Sequence, residues 1–324
     1  MGKCRSLENQ MKHACSDAMS LGEQKRRYAR ANNGETNEKV FGLKYAQDLY
    51  KTMGQLCYYL KTNCPEVRWV KDIRQEHLQG FLQEKSNSCN INTLGKIKSH
   101  IGKLEKICRA EYGRMDWKAD KLALPAVIDR PADLKTYVAT KTDYLKTKAD
   151  MQDNGRSEAW KAVVLSRYAG LRVNEAAEVK IGRFTPTGGK WGCGTVTLQG
   201  KEDGAKGGRW RTVDILTPEA RTALEEAFAD RSGGVYVIQQ KDGGSPLKPD
   251  SITRALERSA KRTGVDLPKH NRNHSYRKLF AQESYDAARA TGATKKEALD
   301  YANHQLGHGD NRRDLSDRYV QNQW

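Results

Sequence analysis

Helical spacing of apolar residues governs most of this chain, and only one short stretch alternates apolar with polar residues. Residues 41–114 repeat apolar side chains every three or four positions, which is typical of amphipathic helices. The alternation is confined to 191–216, on both sides of a glycine-rich turn. The alternating apolar residues are Val196, Leu198, Val213 and Ile215. The pattern predicts a mainly α protein with one small antiparallel β-sheet.

Changes of composition divide the chain into four parts. Residues 1–40 are polar and basic. This composition predicts an arm that is poorly ordered or forms a short helix on a partner. Residues 41–116 predict a small helical domain, and 117–130, with Pro125, predict a linker. Residues 131–324 predict a larger, mainly helical domain that carries the sheet.

The charge of the chain points to a polyanionic partner. Lys and Arg number 57 against 40 Asp and Glu, which gives a net charge of +17 and a pI near 9.5. The excess is spread along the chain, since 22 basic and 14 acidic groups lie in 1–120 and 35 and 26 in 121–324. Cations placed on phosphates release condensed counterions and strengthen binding, so nucleic acid is the expected partner.

The seven cysteines are odd in number and never spaced C-x-x-C. This spacing argues against a zinc ribbon and a disulfide framework, and it favours a reducing cytoplasm. The first residues lack the apolar stretch of a signal peptide, and no apolar run approaches the length of a membrane span. We therefore expect a cytoplasmic protein without a membrane partner.

Three separated segments combine cationic residues with groups that suit phosphate chemistry. They are Gly170-Leu171-Arg172 with Glu175, His274 with Arg277, and Leu306-Gly307-His308 with Tyr319. Taken singly, the first two are weak signals, because a capping arginine or a His–Arg pair on a solvated helix face is common. The third, in which a helix ends at Gly307 and Tyr319 follows His308 by eleven residues, is more specific.

In this order, the three segments resemble the tyrosine recombinases, also called the phage-integrase family. The family's G-L-R-x-x-E, H-x-x-R and L-G-H patterns are matched, and Tyr319 matches its terminal nucleophile. Between the first two segments, K-G-G-R-W-R-T-V resembles the family's β-hairpin and its lysine, which points to Lys206, with Lys201 as the alternative. The resemblance implies a helical core DNA-binding domain at 41–116 and a catalytic domain at 131–324.

The resemblance also implies the chemistry of the site. Its catalytic residues would be Arg172, Lys206, His274, Arg277, His308 and Tyr319. The arginines and His308 would hold the phosphate oxygens, and Tyr319 would attack phosphorus to form a 3′-phosphotyrosine. Lys206 would protonate the departing 5′ oxygen, His274 would assist proton transfer near the tyrosine, and Glu175 would orient the basic groups.

The partners implied by the resemblance are double-stranded DNA and three further copies of the chain. A homotetramer would form the synapse, each protomer would clamp the duplex between its two domains, and accessory DNA-bending proteins could assist. The source would be a phage or another mobile element, and the enzyme would act in the cytoplasm at the nucleoid. No metal and no cofactor is required.

Two features depart from the family pattern. The spacing from His308 to Tyr319 is longer than usual, and five residues follow the tyrosine, fewer than in many relatives. These features leave open how protomers would contact one another.

Several alternatives remain at this point. A type IB topoisomerase-like relaxing enzyme would use the same groups, and a non-catalytic DNA-binding protein could share the fold. His270 with His274, and His304 with His308, have a spacing that could hold a metal, although Gly307 favours the end of a helix over a ligand site. Tyr301 is the rival nucleophile, for which packing is the expected role.

Overall fold

The computed structural model describes most of the chain and divides it into two units. The described residues are 6–23, 25–34, 36, 38–127, 138–155, 157–229, 235–240, 244–268, 272–308 and 317–323. Internal contacts assign Met1–Pro131 to the first unit and Ala132–Trp324 to the second.

The described part of the first unit is helical. Its α-helices are α1 (Leu7–Asp17), α2 (Lys25–Ala31), α3 (Leu43–Asn63), α4 (Gln75–Ser86) and α5 (Ile91–Tyr112). Short 3-10 helices lie at Val70–Asp72 and Ala119–Lys121. Helix α5 begins where the Asn90 side chain accepts a hydrogen bond from the Thr93 N–H at 2.9 Å, and it ends at Gly113, whose φ is positive.

One apolar core joins α1, α3, α4 and α5. Within the predicted arm, α1 contributes Met11 and Cys15, which are both fully buried because they lie one turn apart on a single face. Within the predicted linker, Trp117 and Leu122 are also almost fully buried in this core. The first unit therefore extends beyond 41–116 on both sides.

The second unit combines helices with a small sheet. Its α-helices are α6 (Lys141–Asp153), α7 (Trp160–Tyr168), α8 (Val173–Glu178), α9 (Pro218–Phe228), α10 (Pro249–Thr263), α11 (Arg272–Ala290) and α12 (Lys295–Gln305). Its strands are β1 (Phe184–Thr185), β2 (Thr195–Gln199) and β3 (Trp210–Asp214). Short 3-10 helices lie at Ile181–Arg183, Gly200–Asp203 and Lys206–Gly208.

Helix α7 forms the centre of this unit. Every residue from Lys161 to Tyr168 is buried, and α6, α8, α9, α10 and α11 all contact the helix. A helix that is buried on all sides needs partners around its whole circumference, which the surrounding helices supply. The end of α7 is therefore a fixed point, and the candidate site begins there.

The three strands form an antiparallel sheet in the order β1-β2-β3. Val196 pairs with Val213, and Leu198 pairs with Arg211. Val196, Leu198 and Val213 are fully buried, as the alternating pattern predicts. The mainly helical fold with one small antiparallel sheet is thus confirmed. Among the described helices, none has both the length and the apolar composition that a membrane crossing requires.

Candidate active site

The first motif lies at the end of α7, where Gly170 reverses the chain. Gly170 has φ 57°, and an added Cβ would lie 2.4 Å from the Phe280 ring, so only glycine fits. The turn places Leu171 in the core and Arg172 at the N-cap of α8. The backbone N–H of Arg172 donates to the Glu175 carboxylate at 2.8 Å. The G-L-R-x-x-E pattern is therefore a glycine turn followed by a helix cap.

Glu175 is the hub of a buried charge cluster. Its fully buried carboxylate accepts hydrogen bonds from Arg172 at 2.7 Å and from Arg211 at 2.9 and 2.7 Å, and Arg277 lies 3.7 Å away. Burial alone would raise the pKa of this carboxyl group. The hydrogen bonds and charge of Arg211, with the charges of Arg277 and Arg172, outweigh burial and lower the pKa to about 2.

Arg211 is a member of this cluster that the motif reading did not assign. It lies on β3 on the same face as the buried Val213, and its side chain is only 7% exposed. A cation on the inward face of a strand needs a buried anion, and this signal was present in the alternation of the hairpin. Arg211 holds Glu175 with two parallel hydrogen bonds and so fixes the sheet to α8.

The second motif lies on α11, where Arg277 is fully buried. Its guanidinium donates hydrogen bonds to the carbonyl oxygens of Gly170 and Leu306, which belong to the first and third motifs. Burial, followed by the nearby charge of Arg172, lowers the pKa of Arg277. One side chain thus joins all three sequence motifs.

The third motif follows α12. Gly307 has φ 69°, and an added Cβ would lie 2.9 Å from the Arg211 side chain, so a larger residue would displace that arginine. The turn brings His308 to the cluster, where its Nε2 lies 3.1 Å from a guanidinium nitrogen of Arg172. The L-G-H pattern is therefore a helix end that places an imidazole beside an arginine.

Tyr319 lies between two histidine rings. Its ring centroid is 5.0 Å from that of His274 and 5.1 Å from that of His308, and the Arg277 guanidinium lies 5.8 Å from it. The residue is 7% exposed. Burial, then the charges of Arg277 and its neighbours, lowers the pKa of His274 to about 3, so this imidazole is neutral at pH 7.

Lys206 lies at the rim of the site. It is exposed, and it lines a cleft of about 380 Å³ together with Arg172 and His274. The turn that carries it is fixed by Asp203, which is fully buried and accepts a hydrogen bond from Arg183 at 2.8 Å. Lys201, the alternative lysine, is not among the lining residues of this cleft.

The rival tyrosine belongs to a different cluster. The hydroxyl of Tyr301 donates to Asp214 at 3.2 Å and accepts from the Trp191 ring N–H at 2.8 Å. Burial raises its pKa, which disfavours a tyrosinate nucleophile there. These contacts hold Tyr301 against the sheet. His270, part of a possible metal pair, lies outside the described residues.

Together, the cluster is suited to bind an anion. Three guanidinium groups surround one carboxylate, so positive charge remains in excess beside a cleft. Guanidinium groups offer planar sets of N–H donors that match the oxygens of a phosphate. A neutral imidazole, a phenol and an exposed amine lie around this centre.

Comparison with known proteins identifies similar folds. No protein-family model matches the sequence, and no curated protein matches it. A XerH site-specific recombinase bound to palindromic difH substrate has a TM-score of 0.65 at 16% identity, covering 97% of this chain and 90% of that chain. A lambda integrase dimer bound to a COC′ core site has a TM-score of 0.58 at 16% identity, covering 91% and 75%. The Tn1549 transposon integrase in complex with circular intermediate DNA has a TM-score of 0.57 at 14% identity, covering 91% and 94%.

Proposed function

We propose that this chain, which has the fold of the tyrosine recombinases, is a site-specific recombinase that cuts and rejoins duplex DNA through a 3′-phosphotyrosine. One observation carries the proposal. The Tyr319 ring packs against His274 and His308 and faces the Arg277 guanidinium, beside a cluster of arginines with excess positive charge. A phenol held at a phosphate-binding centre is the arrangement that strand cleavage by tyrosine requires.

The arginines would bind the scissile phosphate. Arg172 is 23% exposed and borders the cleft, so its free N–H groups can reach a non-bridging oxygen. Arg277 is held by two backbone carbonyls, and His308 lies beside Arg172. These groups are preorganised, so they stabilise the charge of the transition state without rearranging during the reaction.

The tyrosine would attack phosphorus. A bond forms between the Tyr319 oxygen and phosphorus while the bond from phosphorus to the 5′ oxygen breaks. His274, neutral at pH 7, can accept the phenolic proton, and Lys206 at the cleft can donate a proton to the departing 5′ oxygen. The phosphotyrosine conserves the phosphodiester bond energy, so a 5′-hydroxyl of another strand can reverse the step.

Assembly on DNA follows from the same proposal. A lambda integrase tetramer bound to a Holliday junction has a TM-score of 0.64 with this chain at 15% identity. We infer that this basic chain binds duplex DNA and forms a tetrameric synapse, in which strands are exchanged between two duplexes. Such a protein would belong to a mobile element and act at the nucleoid.

The test is covalent capture of DNA. Nicked duplexes with a randomised central sequence are incubated with the protein, and adducts are isolated and mapped. The wild-type protein is expected to form a 3′ adduct at Tyr319, and Tyr319→Phe is expected to bind the same duplexes without an adduct. Tyr301→Phe is the matched control and should retain the adduct. DNA binding without any adduct from the wild-type protein would indicate a non-catalytic DNA-binding protein.

Product analysis separates recombination from relaxation. Exchange of strands between two duplexes that carry the selected sequence is expected from the wild-type protein. Relaxation of supercoiled plasmid by monomers, without a preferred sequence and without exchange, would instead indicate a topoisomerase-like enzyme.

The role of Lys206 has a test of its own. Lys206→Ala should slow cleavage of an ordinary phosphodiester by about 10²–10⁴-fold, the usual contribution of a general acid. A 5′-bridging phosphorothiolate should restore the rate, because its thiolate leaving group needs no proton. Lys201→Ala is the control and should cleave both substrates like the wild type. A Lys206→Ala defect that persists with the phosphorothiolate would contradict the assignment.

A further inference from the structure

The chain that follows Tyr319 is held by one side chain of α11. The Gln282 amide oxygen accepts hydrogen bonds from the backbone N–H groups of Gln321 and Asn322, both at 3.0 Å. The Gln282 amide nitrogen donates to the Asn322 carbonyl at 2.8 Å and to the Asp286 carboxylate at 3.1 Å. A single side chain therefore bonds to both the donors and the acceptor of this short backbone segment.

These bonds use the full capacity of the amide. A glutamine side chain offers two acceptor sites on oxygen and two N–H donors on nitrogen, and all four are engaged. The reversed amide would point N–H groups at two backbone N–H groups, so the observed orientation is required. Asp286, one turn further along α11, fixes the same amide from its other side.

Further contacts keep the segment on its own unit. Val320, directly after the tyrosine, is 2% exposed and belongs to the core of the second unit. The Lys295 ammonium donates to the Gln323 carbonyl at 3.1 Å at the start of α12. The Gln323 side chain in turn donates to the Val320 carbonyl at 3.0 Å. The segment is thus anchored beyond the tyrosine ring itself.

Helix α11 also carries two of the groups that face the ring of Tyr319, His274 and Arg277. Gln282 lies eight residues after His274 and five after Arg277, which corresponds to roughly 12 Å and 7.5 Å along the helix axis. A rigid helix therefore carries Arg277 and His274, two of the groups proposed to act in cleavage, at one point and the anchor of the segment after Tyr319 at another.

We propose that Gln282 is a positioning residue that sets the distance between the Tyr319 phenol and the phosphate-binding groups of the same chain. This inference rests on the proposed strand-cleavage function. Its physical basis is that a displacement of about 1 Å in a reacting group can cost about 10²-fold in rate. Gln282 touches neither the phosphate-binding groups nor the phenol in the described contacts, so it acts through the backbone after Tyr319.

Two variants and a matched control test the proposal. Gln282→Ala removes all four hydrogen bonds, whereas Gln282→Glu keeps the acceptor and loses the donor. The control is Gln79→Ala in the first unit, where Gln79 makes a comparable pair of bonds to the backbone of Ala123, at 3.1 and 3.0 Å. Each protein is mixed at saturating concentration with the nicked duplexes captured by the wild type.

The first readouts are single-turnover adduct formation, DNA affinity and amide hydrogen exchange. Gln282→Ala is expected to form adduct about tenfold or more slowly, with the Kd for DNA unchanged within about twofold. The amides of Gln321 and Asn322 should exchange faster, while the amides of α7 keep their protection. Gln79→Ala should form adduct at the wild-type rate.

The glutamate variant supplies a readout that general loss of structure would not produce. At about pH 8 its carboxylate cannot donate to the Asn322 carbonyl, so adduct formation should be slow. As the pH falls to about 4.5, close to the ordinary pKa of a glutamate side chain, protonation restores a donor in a large fraction of the molecules, and the rate relative to the wild type should rise.

Several results would overturn the proposal. One is a wild-type rate in Gln282→Ala although the two amides have lost protection. A second is an equal loss of rate in the control, and a third is a relative rate of Gln282→Glu that does not change with pH. Failure of the proposed function is distinct, because the wild-type protein would then form no adduct while the exchange result at Gln321 and Asn322 would still hold.

Discussion

The cores of the two units differ in the charge that they bury. Among the described residues, the buried polar side chains of the first unit are neutral: Gln10, Thr52, Ser86 and His100. Burial is the main cause that lowers the pKa of His100, which favours the neutral form of its ring. Within its own described residues, the second unit buries six charged side chains: Lys161, Arg167, Glu175, Asp203, Arg277 and Lys278.

This difference in buried charge distinguishes a core that serves stability from one that also contains a candidate site. An apolar core stabilises a fold by removing surface from water, and the first unit needs no more than this. Buried charges add little net stability, because their desolvation offsets their attraction. The second unit retains them where Arg277 and Glu175 join three sequence motifs, so we interpret this part of its core as a preorganised anion site.

The largest expected effect on stability comes from neutralising the hub. Glu175→Gln leaves three guanidinium groups without their carboxylate and should destabilise the second unit by about 3–5 kcal/mol. Native-state hydrogen exchange at α7 measures this loss, and exchange at α5 reports the first unit, which should not change. Equal protection of the α7 amides in the wild type and in Glu175→Gln would show that the stability of the second unit does not depend on this carboxylate.

Replacing a buried arginine with lysine tests whether the site needs the positive charge alone or also the paired N–H donors. Arg277→Lys keeps a positive charge but loses the paired N–H donors, so adduct formation should fall about 10²–10³-fold. Arg167→Lys is the matched control, since Arg167 is also buried but pairs with Glu283 at 2.5 and 2.6 Å and lies over the ring of Tyr168. It should lower stability and leave adduct formation unchanged. A similar loss of adduct formation in both variants would show that Arg277 is no more important for cleavage than another buried arginine.

An apolar truncation in the first unit should show the reverse behaviour. Leu56 on α3 is fully buried, so Leu56→Ala should destabilise the first unit by at least about 2 kcal/mol through lost burial and a residual cavity. At saturating DNA and a temperature where the variant is folded, single-turnover adduct formation should match the wild type. A slower chemical step under these conditions would mean that the first unit contributes more than binding.

Acid should weaken the second unit through Glu175. Its pKa is about 2 in the folded chain and 4.5 when unperturbed, so its contribution is complete above pH 4.5 and is lost as pH falls toward 2. At about pH 3.5 the loss amounts to about 1 kcal/mol. Amide exchange at α7, corrected for the intrinsic effect of pH, should therefore become faster in the wild type as the pH falls. In Glu175→Gln the part of this increase that comes from protonation of Glu175 should be absent. An identical pH dependence in both would contradict the lowered pKa.

The spacing of apolar residues in the sequence was enough to predict the fold class. Helical spacing and the alternation at Val196, Leu198 and Val213 are local properties, because burial follows the period of the backbone. Glycines at 170 and 307 were visible as parts of motifs, but the reason for them lies in neighbours distant in the sequence, Phe280 and Arg211.

The interaction partners of Arg211 and Gln282 could not be predicted from the sequence. Each is an ordinary polar residue in its own segment, and its partner lies about forty positions away, at Glu175 or at Asn322. No spacing rule along one helix or strand links such residues. The alternation of the hairpin indicated an inward-facing cation at Arg211 but not its partner, and the role of Gln282 became visible only when the contacts were known.

By itself, the sequence determined the elements and the basic character and singled out the candidate site residues, because these depend on composition and on local motifs. The tertiary structure decided which charged side chains form ion pairs with one another and how the segment after Tyr319 is anchored. The physical reason is that buried electrostatics and hydrogen bonds depend on distances of a few ångströms between segments, and packing of the whole unit sets those distances.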